Sequence, residues 1–308
     1  MRPRGNPSGT NENGLRGADV RGEIRASLAR HLPGYEVRSV VRLGEGLDNA
    51  AYEVNGELIV RTSKEADPTL RADATRREAD LLAAVAELST LPVPEPVFAY
   101  PETGILAYRK LPGFPLIDHP LAEPARLASA LGRFLGRLHR TFLEKVEGLV
   151  ERDSYPLAAW LQDAERDYRR VSGHLPPAYC RLVEGFLGRM PPAEPRAEAF
   201  CHNDLGAEHV LVDIEASAVT AIIDWTDAAI ADPVRDLALI YRDLGPEVFE
   251  LTVAHYGGSF GGHNRERAVF YARCKLIEDL AYGVGSPGER CYAEAALAHL
   301  DRTFGDLA

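Results

Sequence analysis

Apolar and polar residues alternate along residues 35–62, a pattern typical of half-buried β-strands. In this stretch, YEVRSVVRLGEGLDNAAYEVNGELIVRT, the β-branched runs are interrupted by GEG and by Asn55-Gly56. An Asn-Gly pair between such runs is a strong signal for a tight hairpin turn. The pattern therefore predicts three antiparallel strands.

The pattern changes to a helical period after these strands. The segment DPTLRADATRREADLLAAVAEL begins with Asp-Pro, a helix-start signal, and spaces its apolar residues three or four positions apart. Two short apolar runs, VFAY and GILAY, then predict a further hairpin before the connector KLPG. Beyond the connector, stretches such as EPARLASALGRFLGRLHRTF predict mainly helices.

This order of elements predicts an α+β protein with a small antiparallel-sheet lobe followed by a larger, mainly helical lobe. Two lobes also suit the chain length, since 308 residues exceed what one compact core usually holds. The predicted boundaries are a disordered tail over 1–20, an N-terminal lobe over 21–107, a linker over 108–113 and a C-terminal lobe over 114–308.

The charge balance narrows the choice of partners. The chain carries 46 acidic and 35 basic residues, a formal net charge of −11, whereas nucleic-acid binding needs clustered positive charge. A cationic small molecule is the partner that this charge favours, although acidity can also serve solubility alone. No apolar run approaches a membrane span, and the first nineteen residues lack the apolar centre of a signal peptide. We therefore predict a monomeric, cytoplasmic protein without a nucleic-acid or membrane partner.

The cysteines do not indicate a disulfide framework or a zinc knuckle. None of the four lies in a C-x-x-C spacing, and the chain is long enough to build a core without cross-links. Reduced thiols are the simplest interpretation.

Two aspartates are joined by a predicted hairpin. Asp204 lies in HNDLGAEH, Asp224 lies in AIIDW, and the runs HVLVDI and AVTAIID between them are separated by the brief turn EAS. A strand, a tight turn and a returning strand bring both aspartates to one end of the hairpin, with His209 beside them. One carboxylate could then orient or deprotonate a hydroxyl while the other holds a metal ion, which is the division that phosphoryl transfer needs.

The other requirement of phosphoryl transfer is neutralisation of the phosphate charge. Mg²⁺ can supply it with few protein ligands, because this ion keeps several waters and binds the nucleotide phosphates directly. The GEG turn, with Gly44 and Gly46, would allow the backbone close to the phosphates, and a basic residue lies on the third strand in LIVRTSK.

HNDLGAEH also has two interpretations other than catalysis. An aspartate in such a loop is often only a cap or a turn residue. A zinc site would draw on His202, Asp204 and His209, but closed structural zinc sites generally use four ligands, and Cys201 would point away from His202 in an extended segment.

The motifs resemble those of the aminoglycoside phosphotransferase family, which has a protein-kinase-like fold. The similarity spans roughly residues 35–300, and its most specific part is HNDLGAEHVLVD followed by AIIDWTDAAIADPVRDLALIY. Within the family the chain is most similar to the aminoglycoside 2″-phosphotransferases, with the macrolide 2′-phosphotransferases as close relatives. The resemblance implies nucleoside-triphosphate-dependent phosphorylation of a hydroxyl on an antibiotic, an aminoglycoside first, conferring resistance. A macrolide kinase, a metabolic small-molecule kinase and a nucleotide-binding pseudokinase are the alternatives.

The resemblance also implies roles for individual residues. Asp204 would be the catalytic aspartate and Asp224 the principal Mg²⁺ ligand. His209 stands where many relatives have a metal-binding asparagine, and imidazole is a softer ligand than an amide oxygen.

The N-terminal lobe would bind ATP or GTP. Arg61 stands where a lysine commonly contacts the phosphates, Lys64 would share that task, and Glu78 would pair with Arg61. Arginine keeps its charge and grips phosphate oxygens bidentately, so it is not interchangeable with lysine. The edge of the base would meet backbone groups of Ala107, Tyr108 and Arg109.

The acceptor cleft would be acidic. Glu278 matches a glutamate that binds substrate ammonium groups in the 2″-phosphotransferases, although a solvated helix face is the plainer interpretation of KLIEDLAYG. Asp279 and Asp227 would bind substrate beside it, and Asp243 would add negative charge.

Four residues are expected to support the catalytic loop rather than react. His202 would brace the loop by hydrogen bonding, and His139 would be a packed histidine beneath it. Asp232 would cap the helix that starts at ADPVRDLA, and Asp236 would bond backbone near the loop.

Overall fold

The structure is a computed structural model that describes residues 13–46, 48–286 and 288–305. These residues form two compact units. The first runs to Glu87 and includes Pro92–Leu111, and the second consists of Leu88–Leu91 and the residues from Pro112 onward. The division after Leu111 falls within 108–113, the segment that the sequence predicted as a linker.

The first unit contains an antiparallel sheet of five strands, in the order β1-β2-β3-β5-β4. Its elements in chain order are α1 (Asn13–His31), β1 (Val40–Glu45), β2 (Asn49–Val54), β3 (Leu58–Ser63), α2 (Pro68–Leu88), β4 (Pro96–Tyr100) and β5 (Ile105–Arg109). The three predicted strands, the following helix and the second hairpin are all present. The β2–β3 turn has positive φ at both Asn55 and Gly56, the conformation that favours an Asn-Gly pair in a tight hairpin.

Helix α1 corrects part of the predicted disordered tail. The helix starts at Asn13, so residues 13–20 are helical, while residues 1–12 of that prediction lie outside the described residues. Ile24 and Leu28 of α1 are fully buried in a cluster with sheet residues such as Val60. Burial of this apolar face against the sheet stabilises the helix. The polar residues at the start of the chain, on which the predicted tail was based, gave no sign of this packing.

Strand β5 extends further than the sequence predicted. Tyr108 and Arg109, the first two residues of the predicted linker, are its last residues. Ala107 lies opposite Val60 on one side and Phe98 on the other. Its backbone is therefore inside the sheet rather than in a connecting segment, because both flanks of the strand are paired.

The second unit is mainly helical and contains two small three-stranded sheets, β10-β9-β6 and β7-β11-β8. Its strands are β6 (Phe114–Pro115), β7 (Glu151–Arg152), β8 (Ala199–Cys201), β9 (Val210–Asp213), β10 (Ala218–Ile222) and β11 (Ala229–Ala231). Its α-helices are α3 (Ala128–Leu138), α4 (Leu157–Val171), α5 (Pro177–Leu187), α6 (Val234–Tyr256), α7 (Gly262–Gly285), α8 (Arg290–Ala298) and α9 (Leu300–Phe304). Short 3₁₀ helices lie at Pro124–Leu127, Leu143–Lys145 and Ser172–His174.

The predicted hairpin is formed by β9 and β10, which pair antiparallel from Ala218 opposite Asp213 to Ile222 opposite Val210. The apolar run Val210–Val212 is buried, and the exposed Asp213 side chain accepts a hydrogen bond from the Ala216 amide in the turn. Burial of the apolar run fixes the register, since a slip of one residue would turn it toward solvent. The hairpin ends are thereby set next to the loop that precedes β9.

Helices α3 and α6 pack closely because α3 carries glycine where they meet. A Cβ added at Gly136 would lie 1.9 Å from the Tyr256 backbone oxygen.

Helix α6 has a break in its middle, where Gly245 has φ +87° and Pro246 follows. Pro246 accounts for the break, since proline cannot donate a backbone hydrogen bond.

The fold class is α+β, as predicted, with an antiparallel sheet in the first unit and mainly helices in the second. Within the described part of the chain, every helix falls short of the combined length and apolar character needed to cross a membrane.

Candidate active site

The two predicted aspartates meet at His209, at the end of the β9–β10 hairpin. His209 Nδ1 lies 3.8 Å from Asp204 Oδ2, and His209 Nε2 lies 3.8 Å from Asp224 Oδ2. The Asp224 side chain is 43% exposed, against 16% for Asp204 and His209. The hairpin thus places a recessed carboxylate and an exposed one on opposite sides of a single imidazole.

Two residues of this cluster have a backbone conformation that most side chains avoid. Asn203, directly before Asp204, has φ +68°, and Asp224 has φ +57°. Asparagine and aspartate tolerate the left-handed region better than other residues with a Cβ. Asp224 Oδ1 accepts a hydrogen bond of 2.7 Å from the Thr226 hydroxyl, so its other oxygen is the one turned toward His209. Such conformations concentrate at functional sites.

Asp236, on α6, holds the loop that carries Asp204 through hydrogen bonds. Its Oδ2 accepts hydrogen bonds from the His202 amide at 2.9 Å and from His139 Nε2 at 3.0 Å, and its Oδ1 accepts one from the Asn203 amide at 2.7 Å. Asp236 is fully buried, as is the His139 side chain except for 1%. His139 Nδ1 contacts the Tyr256 hydroxyl at 3.0 Å. These contacts agree with the support predicted for Asp236 and His139.

His202 also contributes structure. The side chain is fully buried, and its Nε2 donates to the Ile223 carbonyl at 2.9 Å, which ties the loop to the residue before Asp224. Burial lowers the pKa of His202 below its ordinary value, so the ring is neutral. The groups of possible metal ligands among the described residues do not include His202. The zinc alternative therefore has no geometric support.

Glu208 is a site residue that the sequence did not suggest. Ligand atoms of Asp204, Glu208 and His209 all lie within 4.8 Å of one another. Glu208 Oε2 is buried and accepts no hydrogen bond among the described residues, although Arg242 Nη2 lies 3.6 Å away, within ion-pair distance. Burial raises its pKa, as expected for a carboxylate that lacks solvation. Its only signal in the sequence was its place directly before His209 in HNDLGAEH.

The donor set fits a divalent cation such as Mg²⁺. Glu208 Oε2, which accepts no hydrogen bond among the described residues, and the carboxylates of Asp204 and Asp224 are the hard ligands that this ion prefers. Burial alone would lower the pKa of His209, but these three carboxylates outweigh it and the pKa is raised. His209 Nδ1 lies 2.7 Å from the Asp204 carbonyl, which leaves Nε2 as the atom facing Asp224. A bound cation would supply the positive charge that the proton on His209 otherwise provides.

Arg242 organises the buried charges behind the loop. It donates two hydrogen bonds to Asp243, at 2.6 and 2.9 Å, and one to Asp279 at 2.5 Å. Burial alone would raise the pKa of Asp243, but Arg242 outweighs it and the pKa is lowered. Asp243 in turn accepts a hydrogen bond from the Ala207 amide in the loop. Asp279 was predicted to bind substrate, and Asp243 was predicted to add negative charge to the acceptor cleft. Both predictions require a carboxylate that is not already paired, whereas Arg242 donates hydrogen bonds to both side chains.

Lys275 is the second residue that the sequence did not suggest. Its Nζ lies 3.7 Å from Asp204 Oδ1 and 3.2 Å from Glu278 Oε2, and its side chain is only 9% exposed. The Glu278 side chain is 18% exposed. Spaced three residues apart on α7, Lys275 and Glu278 had the pattern of an ordinary solvated pair. Their burial depends on residues distant in sequence, so the pattern carried no sign of it.

The remaining predicted residues of the second unit differ in exposure. Asp227 is exposed, as a substrate-binding role requires, and that role stays a prediction. Asp232 is 2% exposed; it accepts hydrogen bonds from the Val234 amide at the start of α6 and from Arg267 Nε at 2.8 Å. Its carboxylate joins the first residue of α6 to α7, while the N-cap residue of α6 is Pro233; the role of Asp232 in supporting the loop stays a prediction.

In the first unit, Arg61 and Glu78 form the expected ion pair. Arg61 Nη1 lies 3.1 Å from Glu78 Oε1, and the side chains are 13% and 20% exposed. The pair joins β3 to α2. The ion pair was predicted together with a contact between Arg61 and the nucleotide phosphates. That contact stays a prediction.

The glycine turn of the first unit is bonded to Lys64. Gly44 lies in β1 next to an irregularity in its pairing with β2, and Gly46 follows the strand. Lys64 Nζ donates to the Gly46 carbonyl at 2.6 Å and lies 3.1 Å from Glu45. Lys64 is therefore occupied by the turn itself, while Arg109, at the end of β5, is exposed.

The family is decided by comparison with known proteins. A model described as the phosphotransferase enzyme family matches residues 39–270, well over half of the chain. The chain belongs to the phosphotransferase enzyme family. The chain is 26% identical over 168 residues to viomycin phosphotransferase of Streptomyces vinaceus, a stretch covering 52% of this chain and 58% of that relative. It spans between 22% and 58% of the length of the curated relatives that it matches first.

Solved structures resemble this chain over nearly their whole length. The GDP and kanamycin complex of an aminoglycoside 2″-phosphotransferase has a TM-score of 0.70 at 22% identity, covering 92% of this chain and 99% of that one. The apoenzyme of macrolide 2′-phosphotransferase MphH from Brachybacterium faecium has a TM-score of 0.61 at 24% identity, covering 91% and 98%. At these identities the likeness shows the fold, which confirms the predicted kinase-like architecture. Both kinds of antibiotic kinase share it, so the fold does not select the substrate.

Proposed function

We propose that this phosphotransferase transfers the terminal phosphoryl group of ATP or GTP to a hydroxyl of a small-molecule antibiotic and thereby confers resistance. The observation that carries the proposal is the cluster of Asp204, His209 and Asp224. It combines a recessed carboxylate with an exposed one across a single imidazole. Phosphoryl transfer needs a group that orients the acceptor hydroxyl and groups that hold positive charge at the phosphates.

Asp204 is the residue we assign to the acceptor hydroxyl. Its loop is fixed by hydrogen bonds from the His202 and Asn203 amides to Asp236, and its carboxylate lies within ion-pair distance of His209 and Lys275. A carboxylate held in this way accepts the hydroxyl hydrogen and directs the oxygen toward phosphorus. His209 and Asp224, with Glu208, would hold Mg²⁺, whose chemistry when bound is neutralisation of charge on the nucleotide phosphates.

Arg61 is the residue we assign to the nucleotide phosphates. Glu78 lies 3.1 Å from its guanidinium, so the positive charge of Arg61 is held at a fixed place on β3. Gly44 and Gly46 would let the backbone approach the nucleotide, and Lys64 would position that turn. We further assign the edge of the base to the backbone at Arg109, which lies beyond the last β5 residue paired with β4, whereas strand pairing uses both sides of Ala107. GDP in the 2″-phosphotransferase neighbour supports the inclusion of GTP as a donor.

An aminoglycoside is the first candidate acceptor. The chain has a net charge of −11, and Glu278 and Asp227 lie in the catalytic unit, so a polycation would be attracted to the protein. A macrolide is the second candidate, because Lys275 lies within ion-pair distance of Glu278 and neutralises part of that charge. We propose action as a cytoplasmic monomer without a nucleic-acid or membrane partner, in line with the acidic composition.

A nucleotide-consumption screen tests this function. ATP and GTP would each be incubated with purified protein, Mg²⁺ and a panel of aminoglycosides, macrolides and simple amino alcohols. Acceptor-dependent consumption with a phosphorylated product in the mass spectrum is expected for an antibiotic. Consumption only with amino alcohols would point to a metabolic kinase instead. Nucleotide binding without consumption for any acceptor would contradict the assignment as an active transferase.

A further inference from the structure

Lys275 brings a cation of the protein itself into the acceptor region. Its Nζ lies 3.2 Å from Glu278 Oε2 and 3.7 Å from Asp204 Oδ1, so the ammonium lies within ion-pair distance of both carboxylates. The side chain is 9% exposed, and its Nζ lies 5.9 Å from the centre of the Trp160 ring. A buried ammonium with two carboxylates and an aromatic face nearby is held in place by all three.

The other carboxylates near Glu278 are matched in the same way. Asp279 accepts a hydrogen bond from Arg242 at 2.5 Å. Asp167 of α4, which interacts electrostatically with Glu278, accepts one from Arg170 at 3.2 Å. These two carboxylates near Glu278 therefore each have a cation of the protein beside them.

We infer that Lys275 is a specificity-determining residue: its ammonium occupies the position at Glu278 that a substrate ammonium would otherwise take. This inference rests on the proposed function, since it requires the acceptor hydroxyl to approach Asp204. The part of the acceptor next to the reacting hydroxyl is then uncharged. A cation there would meet the like charge of Lys275 or would have to displace it from two carboxylates.

Binding of kanamycin without nucleotide tests the inference through a double-mutant cycle. Isothermal titration calorimetry would compare the wild type with Lys275→Met, Glu278→Gln and the double variant. Lys275→Met should bind kanamycin about tenfold tighter, the equivalent of one charge-assisted hydrogen bond gained at the released carboxylate. Glu278→Gln should change the wild-type affinity less than about threefold, and should cancel the gain when combined with Lys275→Met.

Two controls separate charge from folding. Lys275→Arg keeps the charge and should bind kanamycin like the wild type. Lys275→Gln removes it with a polar side chain and should reproduce the gain if Lys275→Met folds poorly, as judged by thermal unfolding. Erythromycin, which carries a single amine, should gain less than kanamycin from loss of Lys275, because fewer of its contacts are ionic.

The outcomes distinguish this inference from the proposed function. Unchanged or weaker kanamycin binding by both uncharged Lys275 variants would overturn the inference, as would a tenfold loss caused by Glu278→Gln in the wild type. Neither result concerns phosphoryl transfer. Failure of every acceptor to promote nucleotide consumption would overturn the proposed function even if the binding cycle behaved as expected.

Discussion

Replacement of Asp236 by asparagine should loosen the catalytic loop. The carboxylate accepts three hydrogen bonds, from the amides of His202 and Asn203 and from His139 Nε2, at 2.7 to 3.0 Å. An asparagine has one acceptor oxygen, and its NH₂ group must face at least one of these donors. The least costly orientation turns the NH₂ toward the Asn203 amide, which is then left without a partner.

The size of the effect follows from this geometry. One buried donor without a partner costs about 1–3 kcal/mol, and the two surviving hydrogen bonds lose the strengthening given by a charged acceptor. Asp236→Asn should therefore lower the free energy of unfolding by about 3 kcal/mol. Because Asn203 directly precedes Asp204, loss of its hydrogen bond should also displace the Asp204 carboxylate by about 1 Å. Such a displacement should lower kcat about a hundredfold while KM for the nucleotide changes little.

Urea unfolding followed by circular dichroism measures the stability, and nucleotide consumption with the best acceptor measures kcat. Asp213→Asn is the matched control, since Asp213 is exposed and asparagine keeps its hydrogen bond from the Ala216 amide. The control should change the unfolding free energy by less than about 0.5 kcal/mol. A loss below about 1 kcal/mol in Asp236→Asn, with kcat within about threefold of the wild type, would refute the reasoning.

Two further predictions concern stability. Gly136→Ala should destabilise the protein by about 3 kcal/mol, because its Cβ would lie 1.9 Å from the Tyr256 backbone oxygen. Gly185→Ala, in open space on α5, should instead stabilise it by about 0.5–1 kcal/mol. Asp153→Asn should cost about 2 kcal/mol at about pH 7, since Asp153 Oδ2 lies 2.6 Å from Arg235 Nη1. Burial alone would raise the pKa of Asp153, but Arg235 outweighs it and the pKa is lowered. The stabilisation is therefore present above about pH 4 and lost as the pH falls through the lowered pKa.

Unfolding measurements check both predictions. Equal effects of the two glycine substitutions would contradict the close contact between α3 and α6. A constant stability difference between the wild type and Asp153→Asn from about pH 7 down to about pH 3.5 would show that the Asp153 pKa is not lowered in the folded protein.

The sequence predicted the elements that depend on local patterns. The runs HVLVDI and AVTAIID, with a short turn between them, fixed a hairpin whose ends bring Asp204 and Asp224 to His209. The Arg61–Glu78 pair was expected from the family resemblance, and the structure places the two side chains 3.1 Å apart. Such patterns are informative because one face of each element must be buried.

Residues whose role depends on distant packing escaped the same reasoning. Lys275 and Glu278 have the spacing of a solvated pair on a helix surface, and what removes them from solvent is their place beside Asp204 and Trp160, far away along the chain. Asp279 was predicted to be available to a substrate, yet Arg242, on helix α6, donates a hydrogen bond to it. A single sequence shows the spacing of charges within an element but not which element faces it.

The most direct test of the central claim is the turnover of Asp204→Asn with the acceptor that supports the fastest nucleotide consumption. Asparagine keeps the size of the side chain but cannot accept the hydroxyl proton, so kcat should fall by at least about 10³. Nucleotide affinity should stay within about threefold of the wild type, and Asp213→Asn should retain full turnover. If Asp204→Asn keeps kcat within about tenfold of the wild type, Asp204 is not the residue that receives the acceptor hydroxyl.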